Sequence, residues 1–87
     1  MSWELIVDNI VRKRVKRIPK HDAKKLVCVM EELAVDPYGG DIEKMDGEEN
    51  SWRRRVGNYR IFYEIHKSNR TIYIFNLKRR TIMVWKI

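Results

Sequence analysis

The chain has 87 residues, 44% of them hydrophobic and 36% charged, with a formal net charge of +7. That length supports one modest core and excludes two, so residues 1–87 are read as a single domain. Apolar residues recur with helix and strand periods, which excludes a disordered chain. No apolar run approaches the roughly 20 residues of a membrane span, and the first residues lack the tiers of a secretion signal, so a cytoplasmic protein without a membrane partner is expected.

The charge is unevenly placed. Residues 51–87 hold ten Lys and Arg against one acid, net +9, whereas residues 1–50 hold nine against eleven, net −2. A one-signed half points to a polyanionic partner, nucleic acid first. Two separate histidines and one cysteine cannot supply the usual four zinc ligands, and no glycine-rich phosphate loop is present, so neither a metal nor a cofactor is expected. The single Cys28 excludes an internal disulfide and is read as a small core residue of a helix.

Taken in order, Trp3 to Val7 alternates Trp3, Leu5 and Val7 against Glu4 and Ile6, the pattern of a short opening strand. Asp8 then supplies a helix cap. Val11, Val15 and Ile18 follow helical spacing over Asn9–Ile18, with Arg12, Lys13, Lys16 and Arg17 left to solvent. Pro19 ends that helix. A second helix is expected over Lys20–Ala34, with Ala23, Leu26, Val27, Met30, Leu33 and Ala34 as its apolar stripe. The Asp36-Pro37-Tyr38-Gly39-Gly40 stretch is a turn, and Asp41 to Ser51, acidic and without a period, is read as a loop with a helical turn near Ile42–Met45. Three strands follow, Trp52–Val56, Tyr59–His66 and Thr71–Leu77. Gly57-Asn58 makes a tight hairpin, a second turn lies at Lys67–Arg70, and a last short strand is expected over Thr81–Trp85. The fold class is α+β: an N-terminal strand and helical hairpin packed on one face of a mainly antiparallel sheet.

The stretch Trp52–Ile65 packs four arginines into its first nine residues. Strand alternation sends Trp52, Arg54 and Val56 one way and Arg53 and Arg55 the other. Tyr59, Ile61, Tyr63 and Ile65 form a core face, leaving Arg60, Phe62, Glu64 and His66 opposite. Arg53, Arg55 and Arg60 therefore converge on the surface away from the helices, with Lys78, Arg79 and Arg80 after the third strand. Guanidinium forks bind phosphate oxygens bidentately, and flat side chains such as Phe62 and Trp85 stack on unpaired bases. Only Glu64 is locally available to neutralise the cluster.

At these residues the sequence resembles the RelE/ParE superfamily of toxin-antitoxin toxins. The likeness rests on Ile18-Pro19, the Lys44-Met45-x-Gly47 step, the block from Trp52 through Arg53-Arg54-Arg55-Val56-Gly57 and Tyr59-Arg60-Ile61 to Tyr63-Glu64-Ile65, and Lys78-Arg79-Arg80. For the RelE branch the resemblance implies an endoribonuclease that enters the ribosomal A site and cuts messenger RNA without a metal. The 2′-hydroxyl attacks the adjacent phosphate. It implies a RelB-like antitoxin as partner, and it implies that Arg60 and Arg79 clamp the scissile phosphate while Arg53 and Arg55 occupy the two basic positions of the preceding strand; the charge and ring content of Arg54, Lys78, Arg80, Phe62 and Trp85 makes them the expected further RNA contacts.

Two departures bear on the chemistry. Arginine stabilises charge but accepts a proton poorly, and Trp85 stands near the place of a C-terminal tyrosine used as an acid in some members, a role an indole cannot fill. Glu64 and His66, on the face of Arg60, are the candidate proton acceptors. Two other readings remain open: a ParE-type toxin that inhibits gyrase, and a non-catalytic RNA-binding module.

Overall fold

The computed structural model describes residues 2–79. Its elements run β1 (Glu4–Val7), α1 (Asn9–Arg17), α2 (Lys20–Val35), β2 (Ile42–Lys44), β3 (Ser51–Val56), β4 (Tyr59–His66) and β5 (Thr71–Arg79). The strands form one sheet in the order β1-β5-β4-β3-β2. β1 runs parallel to β5 and every other pair is antiparallel. This is the expected α+β arrangement.

Local chemistry sets the helix boundaries. Asp8 accepts a hydrogen bond from the Ile10 N–H at 3.0 Å, capping α1. The same carboxylate accepts from the Tyr73 hydroxyl on β5, so the cap also ties α1 to the sheet. The Tyr73 hydroxyl first, then the Ile10 N–H, hold the Asp8 carboxyl below its ordinary range. Two residues, Ile18 and Pro19, connect the helices, and Pro19, at the N-cap of α2, closes the helical hairpin with its fixed φ.

The core lies between the hairpin and one sheet face. Val11 of α1 and Leu26, Val29, Met30 and Leu33 of α2 pack on Ile61, Tyr63, Ile65, Ile72, Ile74 and Leu77. Full burial of each such side chain contributes about 1.5–3 kcal/mol. The α2 stripe is rotated from the expected one: Val29 is buried, while Val27 is 41% exposed and Cys28 faces solvent. Both Val27 and Val29 satisfy a loose helical spacing, and only the docking of α2 on the sheet selects between them.

The expected loop over residues 41–51 contains a strand. β2 pairs with β3 through Ile42↔Arg54, Glu43↔Arg53 and Lys44↔Trp52. Three residues carry too little alternation to be recognised alone, and the pairing is supplied by the longer neighbour. The β3–β4 hairpin forms at Gly57-Asn58 as expected, with only Gly57 at positive φ (56°). Glycine at the first central position is the arrangement of a type II′ turn.

Arg54 is displaced from the role that the sequence suggested for it on RNA. It points to the helix side, donates to the Gly39 carbonyl at 3.0 Å and lies 3.8 Å from Glu32. Its side chain is 16% exposed. Gly40, at φ 83°, passes so close that an added Cβ would stand 2.0 Å from Arg54 Nη1. Tyr63, fully buried, donates to the Pro37 carbonyl at 2.9 Å, and burial raises the phenol far above its ordinary pKa. Together Arg54 and Tyr63 hold the 36–40 turn on the sheet and so fix where β2 begins. Tyr63→Phe leaves the Pro37 carbonyl without its buried donor and should lower stability by about 1–3 kcal/mol, read as a shifted urea midpoint with unchanged slope.

Candidate nucleic-acid interface

The sheet face opposite the helices is organised in transverse tiers, because residues in register across antiparallel strands share a face. One tier holds Arg55, Arg60 and Lys78, in direct register as Arg55↔Arg60 and Arg60↔Lys78. The next holds Glu43, Arg53 and Phe62; Asn76, opposite Phe62 in register, turns its side-chain oxygen to Arg14 of α1, which donates to it. A third holds Ser51, Glu64 and Tyr73, and His66 and Thr71 follow.

Three cations in adjacent register are unusual on stability grounds. Cross-strand neighbours stand roughly 5 Å apart, and like charges at that separation oppose the pairing that aligns them. Part of the repulsion is offset from β2. Glu43 Oε2 sits 2.8 Å from Arg53 Nη2 and accepts from Arg53 Nε at 3.2 Å, and Asp41 lies 4.0 Å from Arg55 Nε. Asp41, Glu43, Arg53, Arg55 and Arg60 line one small cleft. The expectation that Glu64 alone could neutralise the cluster is therefore corrected: Asp41 and Glu43 do so, brought there by a strand not expected from the sequence. A signal was present in retrospect. Asp41-Ile42-Glu43 alternates acid, apolar, acid against Arg55-Arg54-Arg53, the complement that an antiparallel edge strand would show.

The other candidates divide. Arg53, Arg55 and Arg60 converge as expected. Arg79 does not join them: it lies opposite Tyr59 in register and lines a groove on the helix side with Arg14, Arg17, Ile18, Pro19, Tyr59 and Leu77. The strand pleat makes Lys78 and Arg79 point to opposite faces, and Lys78 takes the place beside Arg60. Its Nζ lies 5.6 Å from the centroid of the Phe62 ring, so Phe62, only 8% exposed, is covered rather than open. Glu64 and His66 pair with each other, Oε1 to Nε2 at 2.9 Å. Arg80, Trp85 and the expected strand over Thr81–Trp85 fall outside the described residues.

The alternation of β5 changes phase after Phe75: Tyr73 and Phe75 share the outer face, yet Leu77 is buried. Phe62 faces Asn76 and Tyr63 faces Ile74, so Phe75 is the extra residue of a β-bulge. It lies on the outer face, its ring centroid 6.3 Å from Phe62 and 6.5 Å from Tyr73. The outcome is a cationic tier beside an aromatic one.

Comparison with known proteins agrees with this description. The family model for the ParE toxin of the type II toxin-antitoxin system, parDE, matches residues 2–83. Toxin RelE3 of Methanocaldococcus jannaschii is 36% identical over 58 residues, a match spanning 62% of this chain and just under two thirds, 66%, of that relative. Putative toxin RelE1 of the same organism is 28% identical over 83 residues, covering 92% of each. Among solved structures, the archaeal RelE-RelB complex from Pyrococcus horikoshii OT3 superposes with a TM-score of 0.81 at 25% identity, over 92% of this chain and 97% of that one. The isolated E. coli RelE toxin superposes with a TM-score of 0.81 at 13% identity, over 94% and 88%, a likeness of fold alone.

Glu43 reports on the cluster electrically. The Arg53 guanidinium, by hydrogen bond and by charge, holds the Glu43 carboxyl below its ordinary pKa, and Arg60 and Arg55 act in the same direction. A carboxyl depressed on folding stabilises the fold above its ordinary pKa, and that contribution is lost as pH falls through the depressed value. In an NMR titration Glu43 should titrate below an ordinary glutamate, and Arg53→Ala should return it toward the ordinary value; an unmoved midpoint would contradict the pairing.

Proposed function

We propose that this chain, which belongs to the RelE/ParE toxin superfamily of type II toxin-antitoxin systems, is a RelE-type toxin that cuts messenger RNA in the ribosomal A site without a metal and is held inactive by a RelB-like antitoxin. The antitoxin reading is supported by relatives solved as RelE-RelB complexes. The observation that carries the nuclease reading is the tier of Arg55, Arg60 and Lys78, next to Arg53, on a face that the core does not need. Self-repelling cations kept in register are suited to a polyanion, and a phosphodiester supplies the missing negative charge.

The proposed reaction is intramolecular. The 2′-oxygen forms a bond to the adjacent phosphorus, the bond from phosphorus to the 5′-oxygen breaks, and the products are a 2′,3′-cyclic phosphate and a 5′-hydroxyl. Arg55 and Arg60 hold the non-bridging oxygens and stabilise the charge of the pentacoordinate phosphorane. The 2′-hydroxyl proton passes to Glu43, and water protonates the leaving 5′-oxygen.

Glu43 replaces Glu64 and His66 as the proton acceptor of this reading. Glu64 lies four residues along β4 from Arg60, about 13 Å at the strand rise, and is bound to His66. Glu43 lines the same cleft as the arginines. Like any glutamate it is ionised at neutral pH; the contact with Arg53 weakens it as a base, and an incoming phosphate that engages Arg53 competes for that guanidinium and releases the carboxylate for the hydroxyl. Ribosomal positioning of the RNA supplies the in-line geometry.

The family model is that of the ParE toxin, which favours a second reading, the ParE branch, for which the resemblance implies inhibition of gyrase and no RNA cleavage. With ribosomes and messenger, Arg60→Ala should lower the cleavage rate by about 100-fold or more, while relief of like-charge crowding leaves its thermal midpoint unchanged or higher. Glu43→Gln should also lower the rate by about 100-fold, yet bind RNA at least as tightly, because a competing carboxylate is gone. Primer-extension mapping of the cuts reads the first effect. Wild-type protein that leaves messenger intact but blocks supercoiling would overturn the nuclease reading in favour of the gyrase one.

A further inference from the structure

The aromatic and carboxylate tiers beside the cations have no part in the proposed phosphate chemistry. Phe62, Phe75 and Tyr73 form a continuous run of rings on the outer face, on the side of the sheet that the helices do not cover. Phe75 lies two residues from Tyr73 and shares its face by ordinary strand alternation, and the bulge shifts only the residues after it. Unlike Phe62, both Tyr73 and Phe75 are partly exposed. The Tyr73 hydroxyl is tied to Asp8, which fixes that ring's place on the face.

Glu64 stands directly across from Tyr73 in register. Its side chain is 36% exposed, and His66 Nε2 lies 2.9 Å from Oε1, a contact that orients the carboxylate and leaves Oε2 open. Glu64 and Phe62 are one strand repeat apart, and Phe62 and Arg60 another. At about 6.7 Å per repeat, the aromatic run begins one nucleotide's length from the cationic tier.

We infer that Tyr73, Phe75 and Glu64 form a nucleobase subsite for guanine, next to the phosphate held by Arg55 and Arg60. This rests on the RNA-cleaving reading and adds a sequence preference to it. An unpaired base stacks on a partly exposed ring, as single-stranded RNA bases do on protein aromatics. The carboxylate then selects among bases by counting donors. Guanine presents N1–H and the N2 amino group side by side on one edge, matching the two acceptor oxygens of a carboxylate. Adenine and cytosine each turn one amino donor to that edge beside an acceptor nitrogen that a carboxylate repels, and uracil turns one N–H flanked by two carbonyls. His66 acts as a positioning residue, holding the Glu64 plane.

The test separates this inference from the cleavage reading by using binding alone. Guanosine, adenosine, cytidine and uridine 3′-monophosphates are titrated into wild-type protein, with protein amide shifts as the readout. Guanosine 3′-monophosphate should bind about tenfold more tightly than the other three, the discrimination of one good bidentate pair, and should shift the amides of Glu64, Tyr73 and Phe75. Glu64→Gln should abolish the preference, lowering the affinity for guanosine 3′-monophosphate about tenfold and leaving the other three unchanged or higher. Phe75→Leu should weaken all four, and Arg60→Ala should weaken all four without changing their ratio. A thermal midpoint is recorded for each variant, and His66→Ala, expected to reduce the preference, serves if Glu64→Gln fails to fold. Equal binding of the four nucleotides by wild-type protein, no binding of any, or a preference that survives Glu64→Gln would overturn the subsite. Absence of messenger cleavage by wild-type protein with ribosomes would instead overturn the nuclease reading, whatever the nucleotides show.

Discussion

Arg55, Arg60 and Lys78 occupy one line across three adjacent strands, where the sheet's own hydrogen bonds force them together. Ordinary strand chemistry would place a threonine or an acid in at least one of these positions. The repulsion must be absorbed elsewhere, and the structure shows where. Buried aliphatic and aromatic side chains on the opposite face of the same strands supply the stability, and β2 delivers two carboxylates to the edge of the cluster. The basic surface and the core are two faces of the same strands, so neither exists without the other.

The position of β2 depends in turn on groups that never reach the basic face. Arg54 is held on the helix side by the Gly39 carbonyl and Glu32, with its Nε buried and unpartnered among the described groups. Burying a guanidinium this far is costly unless its geometry is used. Its use here is to fasten the turn before β2, together with the buried hydroxyl of Tyr63. Three consecutive arginines thus do different work. Arg53 and Arg55 face Glu43 and Asp41, while Arg54 anchors the segment that carries those acids.

The pairing of acids with arginines also sets the character of the site. An unopposed cluster would attract any polyanion. With Glu43 and Asp41 on two of its members, a ligand gains most if it can displace the carboxylates and fill several guanidiniums at once. A phosphodiester with two free oxygens meets that requirement better than an isolated surface charge. The rings of Phe62, Phe75 and Tyr73 lie next to the cations on the same face.

Much of the fold was legible because the signals were local. The opening strand, both helices, the Asp8 cap, the Gly57-Asn58 hairpin and the inward set Tyr59, Ile61, Tyr63 and Ile65 follow from side-chain period and from turn and cap chemistry. The convergence of Arg53, Arg55 and Arg60 was legible for the same reason, since a two-residue period and a tight hairpin determine it. β2 was not, because a three-residue edge strand owes its existence to β3. Nor could alternation foresee that a bulge after Phe75 would turn Leu77 inward, so that Arg79 faces the helices while Lys78 stands beside Arg60. The amino-acid order by itself determined which residues alternate and where the chain turns, because those depend on neighbours in sequence. Only the tertiary structure decided which acids meet which arginines, since strand register and the docking of the 36–40 turn are set by contacts between residues far apart in the chain.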